Sequence, residues 1–453
     1  MSRRRAEWGR CTAGIRPQIG KDALMTTGDD TAALLARRDA VFGRGSTIFY
    51  DHPVHLVRGE GVWLFDPDGR RYLDLYNNIP VVGHCNPRVV EAMCGQASVH
   101  TTHTRYLDGR IVEYAERLLA LHHPVVDNVV FTCSGTEANE VAMRMARMAT
   151  GGTGFICTDA TYHGNSDLVG SLTRAPRRGR PGVHAIPFPQ RYRPLRDGLS
   201  DAELCDVYLD EVRAAIDDFA AEGTPLAGVI FCSILANEGL PDVPGDFLPR
   251  AAQMVRDAGG VVIMDEVQSG FCRSGMWWGY ETMGVVPDIV TMGKPMGNGI
   301  PVAACAARAD LVELFRSRTR YFNTFAGSPL QAAAGMAVLD EIEGRRLLDQ
   351  VNDVGGRLLQ SLRELSADVA PAGDVRGCGL FIGIEWVKDR ETKEPDLDGA
   401  VRMVNLLRDR GMLLSNAGAH SNVLKIRPPL VFEQQHADVF LEAFEAALHD
   451  IGC

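Results

Sequence analysis

Between about residues 124 and 307 the chain repeats one pattern. A short unbroken run of apolar and β-branched residues is followed by a polar or glycine-rich break and then by residues at helical spacing. The runs are NVVFTC, GFICTD, LAGVIFCSIL (226–235), GGVVIMDEV (259–267), DIVTMG and IPVAACAA. Runs of this kind predict strands buried on both faces. In EANEVAMRMARMATG, residues Ala138, Val141, Ala142, Met145 and Met148 fall on one helical face, and Gly151 supplies the stop. Strands alternating with helices predict a mainly parallel sheet covered on both sides.

The flanks follow another rhythm. Residues 49–75 alternate as strands do around the turn Asp66-Pro67-Asp68-Gly69. After residue 330 come a long helical stretch, the glycine-rich strands of GDVRGCGLFIGIEWV, a helix near 396–410, and VLKIRPPLVF. The expected fold class is therefore α/β. A large domain spans residues 76–329, and a smaller α+β domain is built from residues 25–75 and 330–453. Residues 1–24, with five arginines and one lysine, read as a disordered tail.

Composition narrows the partners. A chain of 453 residues with net charge −11 offers no basic face for nucleic acid or an anionic membrane. No apolar run reaches membrane-spanning length. The eleven cysteines are scattered without a C-x-x-C pair, so reduced thiols, no metal site and a cytoplasmic location are expected.

Ligands of open α/β sheets sit at the carboxyl ends of the strands. The residues there are Ser134-Gly135-Thr136, Tyr162-His163, Asp265 with Gln268, and Lys294. Ser134 to Thr136 at a helix start offer amide donors to a phosphate, or serve as an ordinary cap. Asp265, after a buried run, needs a cationic or hydrogen-bonding partner, either loop amides or a pyridinium N–H. Lys294 in IVTMGKPMGNG lacks the spacing and the following Ser or Thr of a phosphate loop. It reads as a solvated loop lysine or as an amine held to form a Schiff base. Together these groups supply a phosphate cup, an acid for a ring nitrogen and an amine for an aldehyde, the three anchors of pyridoxal 5'-phosphate.

The motifs NNIPVVGHCNP, SGTEANE, TYHG, MDEVQSGFCRSG, PDIVTMGKPMGNGIP, YFNTFAGSP and GDVRGCGLFIGIE, in this order, resemble the class III pyridoxal-phosphate-dependent aminotransferases of fold type I. The resemblance spans about residues 30–450. It implies that Lys294 holds the cofactor as a Schiff base and that Asp265 pairs with the pyridine nitrogen. Gln268 is implied to lie near the ring hydroxyl, Tyr162 to stack on the ring beside His163, and Ser134, Gly135 and Thr136 to hold the phosphate. Thr324 is implied to reach the phosphate of a neighbouring subunit, hence a homodimer with shared active sites, with pairing into tetramers left open.

Two reactions fit an amine substrate on this cofactor: transamination to a keto acid, and elimination of phosphate and ammonia from a phosphorylated amino alcohol. TRYLDGRIVEYAERL, GLFIGIEWVKDRETKEP and LLSNAGAHSNVLKIRPPLVF resemble the phospho-lyase branch, which acts on O-phosphoethanolamine or phosphorylated hydroxylysine. Arg427 is the substrate-binding candidate: it can clamp a carboxylate, hold a phosphate or bridge the domains. His84, Arg105 and His163 are weaker cationic candidates. Many relatives place a glutamate after the strand matching AGVIFC. This chain has Cys232-Ser233 there and Glu238 further on, so a masked-and-exposed arginine is not expected. A non-catalytic binding protein on the same fold is the remaining alternative, and intact Lys294, Asp265 and Gln268 stand against it.

Overall fold

The computed structural model describes residues 30–178 and 180–452. The basic segment 1–24 lies outside the described residues. The chain divides into two compact units, residues up to Arg58 with Phe65–Arg70, and Gly59–Leu64 with the residues from Arg71 onward.

In the first unit the helix Thr31–Phe42 starts at Asp30, whose carboxylate accepts the Ala32 N–H. The expected turn forms: Asp66 Oδ1 accepts the N–H groups of Asp68 and Arg70, and Gly69 takes the φ of 82° that closes it.

The second unit is centred on a seven-stranded sheet. Its strands are β1 (Asn128–Thr132), β2 (Gly154–Thr158), β3 (Val183–Ile186), β4 (Leu226–Cys232), β5 (Val261–Asp265), β6 (Ile289–Met292) and β7 (Ala303–Ala307), in the spatial order β1-β7-β6-β5-β4-β2-β3. The helix Gly135–Thr150 presents Val141, Ala142 and Met145 to Phe155, Ile263 and Cys305 of the core, and Met148 packs against the same cluster. Gly151 ends it at φ 72°.

Two details differ from the sequence pattern. β3 (VHAI) is short and interrupted by His184, so no unbroken apolar run marks it. β7 runs antiparallel to both β6 and β1, whereas β2 to β6 are parallel. The loop from Gly293 to Val302 is too short for a helical crossover, so the chain must reverse there. Lys294 sits in that reversal.

The carboxyl-terminal strands Ala372–Cys378, Phe381–Trp386, Val423–Ile426 and Ser415–Ala417 form a separate antiparallel sheet in that order. Its third strand ends at Ile426, directly before Arg427. No described helix is long and apolar enough to cross a membrane, and the described cysteines are all free thiols.

Candidate active site

Parallel register builds the floor of the site. Cys232, Asp265 and Thr291 stand side by side at the carboxyl ends of β4, β5 and β6. Asp265 is only 4% exposed, and its neighbours are donors. Oδ1 accepts the Val267 N–H at 2.9 Å; Oδ2 accepts Asn139 Nδ2 at 2.9 Å and meets His163 Nδ1 at 2.7 Å. Burial drives this carboxyl pKa upward. The bonds and charge of His163, then Val267 and Asn139, outweigh it, so the group is held below the usual carboxylate range.

The supporting residues are themselves fixed. Asn139 accepts from Thr291 Oγ1 at 2.6 Å and donates to the His163 carbonyl at 2.8 Å, and His163 Nε2 meets Thr161 Oγ1 at 2.9 Å. These bonds favour the anionic form of Asp265 and fix its orientation.

Lys294 is brought toward the start of the helix Gly135–Thr150 by glycines. A Cβ on Gly293 would lie 3.3 Å from the Gly135 nitrogen. Burial, and then the Arg427 charge, lower the Lys294 pKa against the opposing pull of Asp265. Among the described residues its amine has no hydrogen-bond or ion-pair partner. Such an amine is a ready nucleophile.

Two cavities meet at Lys294 and Tyr162. One, of about 290 Å³, is lined by Ser134, Gly135, Thr136, His163 and Val267. Ser134 caps its helix through the Glu137 N–H, and Thr136 Oγ1 accepts the Asn165 N–H at 3.3 Å. Gly164, at φ 150°, has its α-carbon against Thr136: a Cβ there would come within 2.9 Å of the Thr136 α-carbon. This packing ties TYHG to the helix start.

The second cavity, of about 380 Å³, is lined by Tyr76, Asn237, Gln268, Lys425 and Arg427 as well as Lys294. Arg427 donates from Nε to the Tyr76 carbonyl at 2.6 Å and from Nη1 to Gln268 Oε1 at 2.5 Å, and stacks over the Tyr76 ring. Lys425 donates to the Ala236 carbonyl at 2.7 Å and to the same Gln268 oxygen at 3.2 Å. Neither cation forms an ion pair with a carboxylate among the described residues. Glu238 instead accepts from Thr158 Oγ1 and, at 3.1 Å, from the Asn237 N–H.

Burial, then Arg427 and Lys294, push the Lys425 pKa well below its ordinary value. An unfolded lysine keeps its proton to about pH 10.4, whereas folded Lys425 loses it earlier, so between those points the unfolded chain binds more protons and stability rises with pH. Lys425→Met is therefore expected to stabilise the cofactor-free protein at pH 7 by about 1–4 kcal/mol. Melting curves at pH 7 and pH 10 check this: the variant melts higher at pH 7, and the gap narrows at pH 10.

Of the residues singled out in the sequence, Ser134, Gly135, Thr136, Tyr162, His163, Gln268, Lys294 and Arg427 line one cavity or the other, with Asp265 directly behind His163. Thr324 is exposed and lines neither. The weaker cationic candidates are engaged elsewhere. His84 meets Asp74 at 2.7 Å, Arg105 lies 3.8 Å over the Phe322 ring, and His163 serves Asp265.

Residues 48–448 match the family model described as aminotransferase class-III. The chain belongs to the class-III aminotransferase family. Among its relatives, ethanolamine-phosphate phospho-lyase homolog 1 of Caenorhabditis elegans is 35% identical over 425 residues, 89% of this chain and 90% of that protein. An alanine–glyoxylate aminotransferase 2-like protein of Drosophila melanogaster is 36% identical over 424 residues, 91% of this chain and 86% of that protein. Among solved structures, a phospholyase from Arthrobacter in complex with phosphoethanolamine superposes with a TM-score of 0.88 at 41% identity, covering 92% of this chain and 99% of that one. An (S)-enantioselective omega-transaminase from Thermomicrobium roseum gives 0.84 at 29% identity, covering 94% and 99%. The fold is that of the fold type I enzymes of this class-III family.

The sequence reading missed Lys425 and Asn139. Lys425 had a usable signal: residues 425 and 427 are two apart along an extended strand and so share a face. Asn139 lies one helical turn inside SGTEANE, and its partners Asp265 and Thr291 come from distant strands.

Proposed function

We propose that this class-III enzyme is a pyridoxal 5'-phosphate-dependent lyase that eliminates phosphate from a phosphorylated amino alcohol, with O-phosphoethanolamine as its simplest substrate. The observation that carries the reading is the pair Lys425 and Arg427, two buried basic side chains without a carboxylate partner among the described residues, in the cavity that Lys294 shares. A phosphate dianion is the complement of such a pair, and its charge favours the protonated form of Lys425 that burial disfavours. The names of the worm and Arthrobacter relatives support the same reading.

The residues present fit the cofactor. The helix start at Ser134 to Thr136 offers amides to a phosphate, Asp265 offers a fixed negative charge to a ring N–H, and Lys294 offers an amine of lowered pKa to an aldehyde. Tyr162 lines both cavities and offers a ring face between them. When bound, the cofactor supplies an electron sink next to the substrate amine.

The chain's own residues do the rest. Lys294 Nζ takes the proton from the carbon bearing nitrogen. Lys425, protonated against the bound dianion, and Arg427 hold the phosphate, so that when the C–O bond breaks, its electron pair leaves on an oxygen already facing both. The vinyl amine left behind hydrolyses to acetaldehyde and ammonia. Gln268 holds both cations through one oxygen and keeps them aimed into the cavity.

Thr324, exposed and lining neither cavity of its own chain, is read as a contact to the cofactor phosphate across a homodimer. Phe325, 74% exposed beside it, supports an apolar partner surface there.

Transamination is the second reading, because the same fork of Arg427 fits a carboxylate. The deciding experiment gives the purified holoenzyme O-phosphoethanolamine with no keto acid and measures phosphate and acetaldehyde. Equal release of both is expected. No phosphate, together with amine transfer to pyruvate, establishes the aminotransferase instead.

A further inference from the structure

A phosphate monoester is mostly a dianion near neutral pH. If its C–O bond breaks with no proton supplied, the phosphate leaves as a trianion, a far more basic leaving group than hydrogen phosphate. The two side chains placed to hold it differ in what they can do about this. Arg427 donates hydrogen bonds but does not give up a proton, because a guanidinium stays protonated throughout the accessible pH range. A lysine ammonium can give one up.

The geometry leaves a Lys425 hydrogen for the ligand. An ammonium has three N–H donors, and those of Lys425 meet two acceptors among the described residues, the Ala236 carbonyl at 2.7 Å and Gln268 Oε1 at 3.2 Å. Lys425 lines the same cavity as Lys294 and Arg427. Burial, then the charges of Arg427 and Lys294, weaken its hold on a proton. A bound dianion restores that proton, and the same surroundings make it easy to pass on. A group balanced in this way suits acid catalysis.

We propose that Lys425 is the general acid of the elimination, giving its free N–H proton to the bridging oxygen as the C–O bond breaks. This goes beyond holding the phosphate, and it rests on the lyase reading. Lys294 Nζ takes the proton from the carbon bearing nitrogen, and the pair left there forms the carbon–carbon double bond. The C–O pair goes to the bridging oxygen, which Lys425 Nζ protonates. Hydrogen phosphate leaves as a dianion, and Lys425, left neutral, regains a proton from water. Tyr76 is the competing donor: it lines the same cavity with a phenolic O–H, and Arg427 lies over its ring.

The test uses wild-type, Lys425→Arg, Lys425→Met and Tyr76→Phe holoenzymes with two substrates, O-phosphoethanolamine and ethanolamine O-sulfate, whose sulfate leaves without needing a proton. Release of phosphate or sulfate is measured over about pH 6–10. Binding of 3-aminopropylphosphonate, with carbon in place of the bridging oxygen, is followed by the absorbance of the bound cofactor. Lys425→Arg keeps the charge and loses the transferable proton. Its kcat is expected to fall about 10²-fold or more for phosphate and less than about tenfold for sulfate, with the phosphonate still bound. Lys425→Met is expected to lose phosphonate affinity as well.

Wild type alone supplies a second readout, independent of how the variants fold. The rising limb of its pH profile, from Lys294 becoming a neutral base, is shared by both substrates. The falling limb, from loss of the Lys425 proton, is expected for phosphate only; Arg427 and Lys294 move it to lower pH, and Cys232, Glu238 and the bound phosphate to higher pH. Equal losses for the two substrates in Lys425→Arg, a falling limb shared by both in wild type, or a phosphate-selective loss in Tyr76→Phe alone overturns the assignment and leaves the lyase reading in place. No phosphate from wild type at any pH removes the lyase reading itself.

Discussion

Lys294→Ala is expected to lose the cofactor adduct that borohydride fixes on the wild-type protein and to lower kcat by about 10⁴-fold or more. Loss of a positioned general base alone costs about 10²–10⁴-fold, and in the proposed function this residue is also the amine that would anchor the aldehyde. The structure provides the conditions for both roles. Lys294 sits in the reversal between β6 and β7, and burial and the Arg427 charge lower its pKa, which favours the neutral, nucleophilic amine relative to an ordinary lysine. Lys425 is the other amine in the cavity, and it is turned toward Ala236 and Gln268. Peptide mapping after borohydride therefore belongs in the experiment. An adduct that persists in Lys294→Ala, on Lys425 or elsewhere, would show that the assignment of the anchoring amine is wrong.

The second large effect is expected from Asp265→Asn, which preserves shape and removes charge. At present the Val267 N–H, Asn139 Nδ2 and His163 Nδ1 all point at its two oxygens. An asparagine places an amide donor against one of these groups, leaving a buried donor pair unsatisfied and no anion for a ring N–H. Activity is expected to fall by about 10²–10³-fold, the scale of removing one preorganised electrostatic partner, and the cofactor to dissociate more readily during dialysis. Circular dichroism and kinetics on the same preparation separate this from misfolding. A folded Asp265→Asn protein within about tenfold of wild type would refute a catalytic role for the charge.

Much of the architecture was legible because it is local. Each long strand of the large sheet is an unbroken apolar run, and the helix Gly135–Thr150 has its apolar face at regular spacing and its cap and stop in Ser134 and Gly151. β3 and the direction of β7 were not legible. The first is a short run interrupted by His184, and the second follows from the length of the loop before it, a constraint on connection rather than on composition.

The chain's residues by themselves determined the strand-end constellation of Ser134 to Thr136, Asp265 and Lys294, because a motif that follows a buried strand has its place assigned by that strand. Only the tertiary structure decided what surrounds it. Asn139 and His163 converge on Asp265 from a helix and a loop, Lys425 and Arg427 meet Gln268 from 157 and 159 residues away, and Glu238 turns to Thr158 rather than to Arg427. Such convergence depends on which strands lie adjacent and on how the carboxyl-terminal chain meets the sheet edge. Those are long-range packing outcomes, and no local period in the sequence records them.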